Sequence, residues 1–270
     1  MNYDFSKLDE TSRRVYGTVN QIYNTVAESL KPDERRSPSV QATAFLVRHT
    51  FTFADAALIL IADGQPLPAS ALIRTCIEAQ ARANHIVSFT GEEREKTARE
   101  FLRLFEVGKR YFTGLSTKAA RDQLDPSLLV GRSQEELEGI RQMVVDFDEA
   151  AFKSAFDEYG ELNRAWSYSK IIGTKSFKDP NWNKRTAVQI LQQVLHLSYV
   201  ESCFAVHPHP MSVATEKLVT AKKITRDAAV TAICVVTCYL TAAGLHDRTN
   251  LQAIIDEYSS YLRDNVYEFI

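Results

Sequence analysis

Apolar residues recur at intervals of three, four and seven along most of this chain, and this spacing constrains its fold more than any other feature. Between residues 6 and 30 one such stripe consists of Leu8, Val15, Val19, Ile22, Val26 and Leu30. This spacing lies on one face of an α-helix, whereas a half-buried strand alternates at every second residue. The sequence contains no run of the alternating kind, so we expect an all-α fold, a multi-helix bundle.

Capping and turn residues predict where these helices begin and end. Ser37 precedes Pro38, and proline loses nothing at the first position of a helix. Ser133 and Glu136 have the spacing of a capping box. The predicted helices cover 6–30, 38–63, 69–89, 91–112, 134–160 and 184–206, with one more from 225 and a last one from about 250.

The remaining segments predict the domain organisation. Residues 113–132 are expected to be a linker, and 161–185 a short helix followed by an irregular loop. No fixed repeat or low-complexity tract separates two halves of the 270 residues. We therefore expect one domain over 1–270, with 113–182 as a linker and appendage.

Charge and cysteine content restrict the function and the location. A net charge of −2 gives no global basic field, which argues against a protein that coats nucleic acid nonspecifically. Four cysteines without a CxxC pair, after a polar N-terminus, favour the cytoplasm. The uncharged segment 228–245 is near transmembrane length, but its many Ala, Thr and Cys residues favour a buried core helix.

One predicted helix, 69–89, carries a charged stripe. Arg74, Glu78, Arg82 and His85 fall within about 80° of one another on a 3.6-residue period. Such a stripe is either an exposed ladder of ion pairs, each contributing a few tenths of a kcal/mol, or one wall of a site.

A second notable stretch is YVESCFAVHPHPM, residues 199–211, where Pro208 ends a helix at His207. His207 and His209 are either exposed loop histidines or members of a site. A metal needs further ligands, and we find no third histidine or suitably spaced carboxylate nearby, so neither a metal nor another cofactor is predicted.

The stretches ALIRTCIEAQARANHI and LSYVESCFAVHPHP, taken together, resemble a bacterial family of HEPN-like helical proteins, related to the higher eukaryotes and prokaryotes nucleotide-binding superfamily. The resemblance extends over about residues 39–245. It implies a HEPN-like bundle in which Arg74, Glu78, Tyr199, Ser202 and His207 line one cleft.

Many members of that superfamily are similar to metal-independent endoribonucleases, toxins or defence effectors, with an arginine and a histidine four to six residues apart on one helix. This chain departs from that pattern, because the residue six positions before His207 is Glu201 and not an arginine. The resemblance implies a composite site in which Arg74 stabilises the phosphorane oxyanion and Glu78 orients the Arg74 side chain. His207 would transfer the proton.

The residues expected to contact the substrate are Tyr199 and Ser202 of the implied cleft, together with Arg82 and His85 of the charged stripe. Two alternatives stay open, namely a non-catalytic module that binds a nucleotide or a protein, and a purely structural network of arginine, glutamate and histidine. The expected partners are RNA or a nucleotide, or a cognate protein, with a homodimer allowed and no membrane.

Overall fold

The structure is a computed structural model that describes residues 5–123, 130–145, 147–172, 195–196, 198–199, 202–203, 219–245 and 249–265. Within these residues there are ten α-helices, one short 3-10 turn and no strand, so the predicted all-α fold is confirmed. The helices are α1 (Glu10–Ser29), α2 (Pro32–Arg35), α3 (Pro38–Ala62), α4 (Pro66–Val87), α5 (Gly91–Gln123), α6 (Gln134–Val145), α7 (Glu149–Ala165), α8 (Tyr168–Ile172), α9 (Ala221–Ala243) and α10 (Leu251–Asp264). The described residues between 195 and 203 are also helical.

The chain forms two compact units. Unit 1 comprises Met1–Ala98 together with Ile171–Ile270, and unit 2 comprises Arg99–Lys170. The sequence-based prediction of one domain with an appendage over 113–182 stays a prediction.

Unit 1 is built around an antiparallel hairpin of α3 and α4. Only three residues connect these two long helices, which pack against each other along their length. The Cys76 thiol donates a hydrogen bond to the carbonyl oxygen of Thr50 at 3.5 Å, which fixes the register of the hairpin. Residues 50 and 76 therefore lie opposite each other.

Helix α9 is the core helix of unit 1, in contact with α1, α3 and α4. Residues 224–236 are all buried, including Cys234, as the predicted core helix requires. Cys238 is buried as well. The helix begins four residues earlier than predicted, because the Thr220 hydroxyl accepts a hydrogen bond from the backbone N–H of Lys223 and caps the first turn.

A buried ion pair lies near the start of α9. Nε and Nη2 of Arg226 both donate to one carboxylate oxygen of Asp227, at 2.8 and 2.6 Å. Nη2 also donates to the hydroxyl of Ser198 at 2.9 Å. The two charged side chains are only 11% and 4% exposed, so this pair belongs to the core.

Two of the described helices, α3 and α9, are long and apolar enough to span a membrane by length and composition alone. The apolar stretch of α9 is 89% buried against protein, and that of α3 is 44% buried. Core helices of soluble proteins share this composition, so the feature is weak evidence, and the prediction that the protein has no membrane partner stays a prediction.

Two helix boundaries in unit 1 confirm or correct the sequence prediction. Helix α3 begins at Pro38 as predicted. Helix α4 begins at Pro66, three residues before the predicted start at residue 69. The reason is that Pro66 occupies the first turn, where no backbone donor is needed.

Unit 2 departs further from the sequence prediction. The linker expected over 113–132 is helical as far as Gln123, so that prediction is wrong for its first eleven residues. The hydroxyls of Ser116 and Thr117 donate to the carbonyls four residues earlier, which lets these polar residues sit inside a helix. Close packing is also present, because a Cβ on Gly114 would lie 2.6 Å from the Phe152 ring.

The single helix predicted over 134–160 is two helices. The predicted capping box is present, since Ser133 and Glu136 exchange backbone and side-chain hydrogen bonds at 2.9 and 3.2 Å. Asp148 then begins a new helix by accepting from the N–H groups of Ala150 and Ala151, both at 2.9 Å. Helix α7 continues past Gly160 to Ala165, and the short helix predicted after it is α8.

Candidate functional site

The charged stripe of α4 lies on the half-buried side of the helix. The Glu78 carboxylate accepts from Nε of Arg74 at 3.2 Å and lies 3.8 Å from Nη2 of Arg82. All three side chains are only 21–25% exposed. The stripe is therefore more enclosed than a solvated ladder of ion pairs, and one carboxylate holds two guanidinium groups.

Tyr199 reaches this stripe from the later helical residues. Its hydroxyl accepts a hydrogen bond from Nη2 of Arg74 and donates one to Glu78, each at 3.3 Å. Its ring centroid is 5.2 Å from the Arg74 guanidinium carbon, which is a cation–π contact. The predicted helices 69–89 and 184–206 thus meet at Tyr199, while most of 184–206 lies outside the described residues.

The chemical environment keeps Arg74 charged. Partial burial works against the cation, but Tyr199, Cys203 and Glu78 together raise the pKa of Arg74. Burial, and then the nearby Glu78 carboxylate, raise the pKa of the Tyr199 hydroxyl, so this group stays protonated at neutral pH. The site is therefore a fixed cation beside a neutral hydroxyl.

One donor of Arg74 is left over in this arrangement. Its Nη1 is buried and has no hydrogen-bond partner among the residues that the structure describes. A buried donor without an acceptor is costly, and an arginine edge of this kind suits an oxyanion. The arrangement can accept an anionic oxygen such as that of a phosphate.

The remaining predicted residues have different placements. Ser202 is buried, and its hydroxyl donates to the Tyr199 carbonyl at 2.9 Å, so it supports the turn that carries Tyr199. His85 lies one turn beyond Arg82 and packs edge-on against Phe89, with the ring centroids 5.3 Å apart. His207 lies outside the described residues, as does His209.

Sequence reasoning missed His49, a residue of α3 that lies near the charged stripe of α4. The hairpin register places it level with Glu78, because Thr50 lies opposite Cys76. Burial, and then the charge of Arg82, lower the pKa of His49, while Glu78 opposes them. In an antiparallel hairpin, residues at equal distances before and after the 63–65 turn lie opposite each other, and this rule could have identified His49 from the sequence.

Two further observations concern other kinds of site. Among the described residues, no group of three His, Cys, Asp or Glu side chains is placed to hold a metal ion. In unit 2 a groove of about 990 Å³ runs beside α5, α6 and α7, and its lining includes Lys109, Thr113 and Phe152. None of the predicted site residues that the structure describes lines this groove.

Comparison with protein-family models, with curated proteins and with solved structures finds no match for this chain. The HEPN-like assignment therefore rests on the sequence stretches quoted above and stays a prediction.

Proposed function

We propose that this protein is a HEPN-like helical protein that binds the phosphate groups of RNA at Arg74 and cuts the RNA backbone without a metal. The observation that carries the proposal is the left-over Nη1 donor of Arg74. Glu78 and Tyr199 fix the guanidinium from two sides, so this donor points in a defined direction. A preorganised cation of this kind stabilises charge that develops on a phosphoryl oxygen.

The proposed reaction is an internal displacement at phosphorus. The RNA 2′-oxygen bonds to the adjacent phosphorus while the bond from phosphorus to the 5′-oxygen breaks. A base takes the 2′-hydroxyl proton and an acid returns a proton to the 5′-oxygen, which is a task for groups that titrate near neutral pH. His207 is the proposed proton-transfer residue, and Arg74 stabilises the phosphorane oxyanion.

Binding without cleavage is the second candidate function, and the position of Glu78 favours it. This carboxylate lies between Arg74 and Arg82, so it removes part of their attraction for a phosphate and repels a phosphorane dianion. A protein that only binds a nucleotide, an RNA or a partner protein tolerates this better than a ribonuclease does. In either case Arg74 is the residue on which ligand binding depends.

The test is incubation of the purified protein with total RNA in the presence of a chelator. We expect cleavage by the wild-type protein and by His209→Ala, and loss of cleavage in His207→Ala and Arg74→Ala. Arg14→Ala is the matched control, because Arg14 is 71% exposed and pairs only loosely with Glu257 at 3.9 Å.

Cleavage by Arg74→Ala at the wild-type rate would contradict the proposed site. Equal loss of cleavage in His207→Ala and His209→Ala would contradict the role of His207. RNA binding that needs Arg74, with no cleavage by any form of the protein, would support the non-catalytic alternative.

A further inference from the structure

An aromatic row runs along α3 beside the charged stripe of α4. Phe45, His49 and Phe53 are spaced four residues apart, so they lie on one face of the helix. The ring of His49 is 6.1 Å from that of Phe45 and 4.5 Å from that of Phe53. All three side chains are half-buried, so part of each is open to solvent.

The hairpin register sets this row level with the charged stripe. Because Thr50 lies opposite Cys76 in an antiparallel hairpin, each step back along α3 matches one step forward along α4. His49 is then level with Glu78, to within one residue, or about 1.5 Å of helix rise. By the same count Phe45 lies level with Arg82 and Phe53 with Arg74.

Electrostatics supports the same placement. The charges of Arg82 and Glu78 both act on His49, so the middle of the aromatic row lies near the charged stripe. Arg48, the charged residue beside His49, is held on another side by Tyr23, whose hydroxyl accepts from its Nε at 3.3 Å. The result is two parallel rows, one of aromatic rings and one with two guanidinium groups.

We infer that the aromatic row of α3 is a base-stacking subsite that selects unpaired nucleobases for the phosphate site on α4. Single-stranded nucleic acid is bound by just this combination of aromatic faces for the bases and cations for the backbone. A duplex keeps its bases stacked on one another and cannot offer them to the row. The inference rests on the proposed phosphate site and adds to it the feature that recognises the ligand.

The test uses fluorescence anisotropy with a fluorescein-labelled, 2′-O-methyl RNA 12-mer in a chelator, so that binding is measured without cleavage. Phe53→Leu keeps most of the packing volume and removes the aromatic face, and Phe45→Leu does the same at the other end of the row. The matched control is Phe156→Leu, at an exposed phenylalanine of unit 2. A duplex of the same sequence is titrated in parallel.

We expect each α3 variant to bind the single strand about five- to 150-fold more weakly than the wild type, which is the range for the loss of one stacked base. We expect Phe156→Leu to bind as the wild type does, and the duplex to bind the wild type more weakly than the single strand.

If Arg74→Ala weakens binding but Phe53→Leu and Phe45→Leu do not, or if the duplex binds as well as the single strand, the stacking subsite is overturned and the phosphate site stands. If neither strand binds the wild-type protein, the stacking subsite and the proposed function both fail.

Discussion

Replacement of Arg74 by alanine distinguishes a functional site from a structural network, and Arg226→Ala provides the internal standard. Arg74 is 21% exposed, and its partner Glu78 is 25% exposed and keeps Arg82 as a second neighbour. The variant loses the hydrogen bonds of the guanidinium to Glu78 and to the Tyr199 hydroxyl and one cation–π contact, all of which solvent partly screens. We expect the free energy of unfolding to fall by about 1–2 kcal/mol.

Arg226→Ala also removes an arginine that contacts a carboxylate and a hydroxyl, but this arginine is more deeply buried than Arg74. The Asp227 side chain is 4% exposed, and it accepts from two nitrogens of Arg226. Removing one partner of such a pair leaves the other as a buried charge, which costs about 3–5 kcal/mol. Burial raises the pKa of Asp227 against the opposing effects of Arg226, Ser198 and Lys223, and Arg226 is the largest of these three.

The assay is urea denaturation followed by circular dichroism, with melting temperatures as a second measure at about 2–4 °C per kcal/mol. A destabilisation by Arg74→Ala that equals the one by Arg226→Ala would refute the reasoning, because the stripe of α4 would then be a structural network.

Three further predictions test other parts of the molecule. Since burial and Arg82 lower the pKa of His49, the unfolded chain binds a proton just below pH 6.5 that the folded chain does not. The stability of the wild type should fall as pH drops through that window, and urea titrations of His49→Gln should lack this component. Gly114→Ala should lower the melting temperature, because the new Cβ would lie 2.6 Å from the Phe152 ring. Gly139 is exposed in a helix with open space around it, so Gly139→Ala should raise the free energy of unfolding by about 1 kcal/mol. Asp148→Ala should cost about 1 kcal/mol of stability by uncapping α7, while Asp148→Asn should restore most of it; equal loss in both variants would contradict the capping role.

Local signals predicted most of the helices, because a cap or a helix-starting proline acts within one turn. The starts at Pro38 and at the Ser133–Glu136 box are of this kind. The break before α7 carries the same type of signal in Asp148, but the apolar periodicity on both sides conceals it. The extension of α5 to Gln123 was missed because the Ser and Thr hydroxyls that resemble a loop bond back to their own helix.

The candidate site was predictable only in part, for a different reason. Arg74, Glu78 and Arg82 share one helix, so a 3.6-residue period is enough to group them. His49 joins them through the register of α3 against α4, which a sequence fixes only through packing between distant residues. The left-over Nη1 donor of Arg74 likewise depends on where Tyr199 lies in space.

The most direct test of the central claim, that Arg74 binds a phosphate group, is a titration of the arginine side-chain Nε–H signals by ¹H–¹⁵N NMR. The titrant is the 2′-O-methyl RNA 12-mer in a chelator, and the signals are assigned with Arg74→Ala, Arg14→Ala and Arg226→Ala. We predict that the Arg74 signal shifts saturably while those of exposed Arg14 and buried Arg226 stay in place. An Arg74 signal that does not move while the RNA binds, with unchanged affinity in Arg74→Ala, would contradict the account.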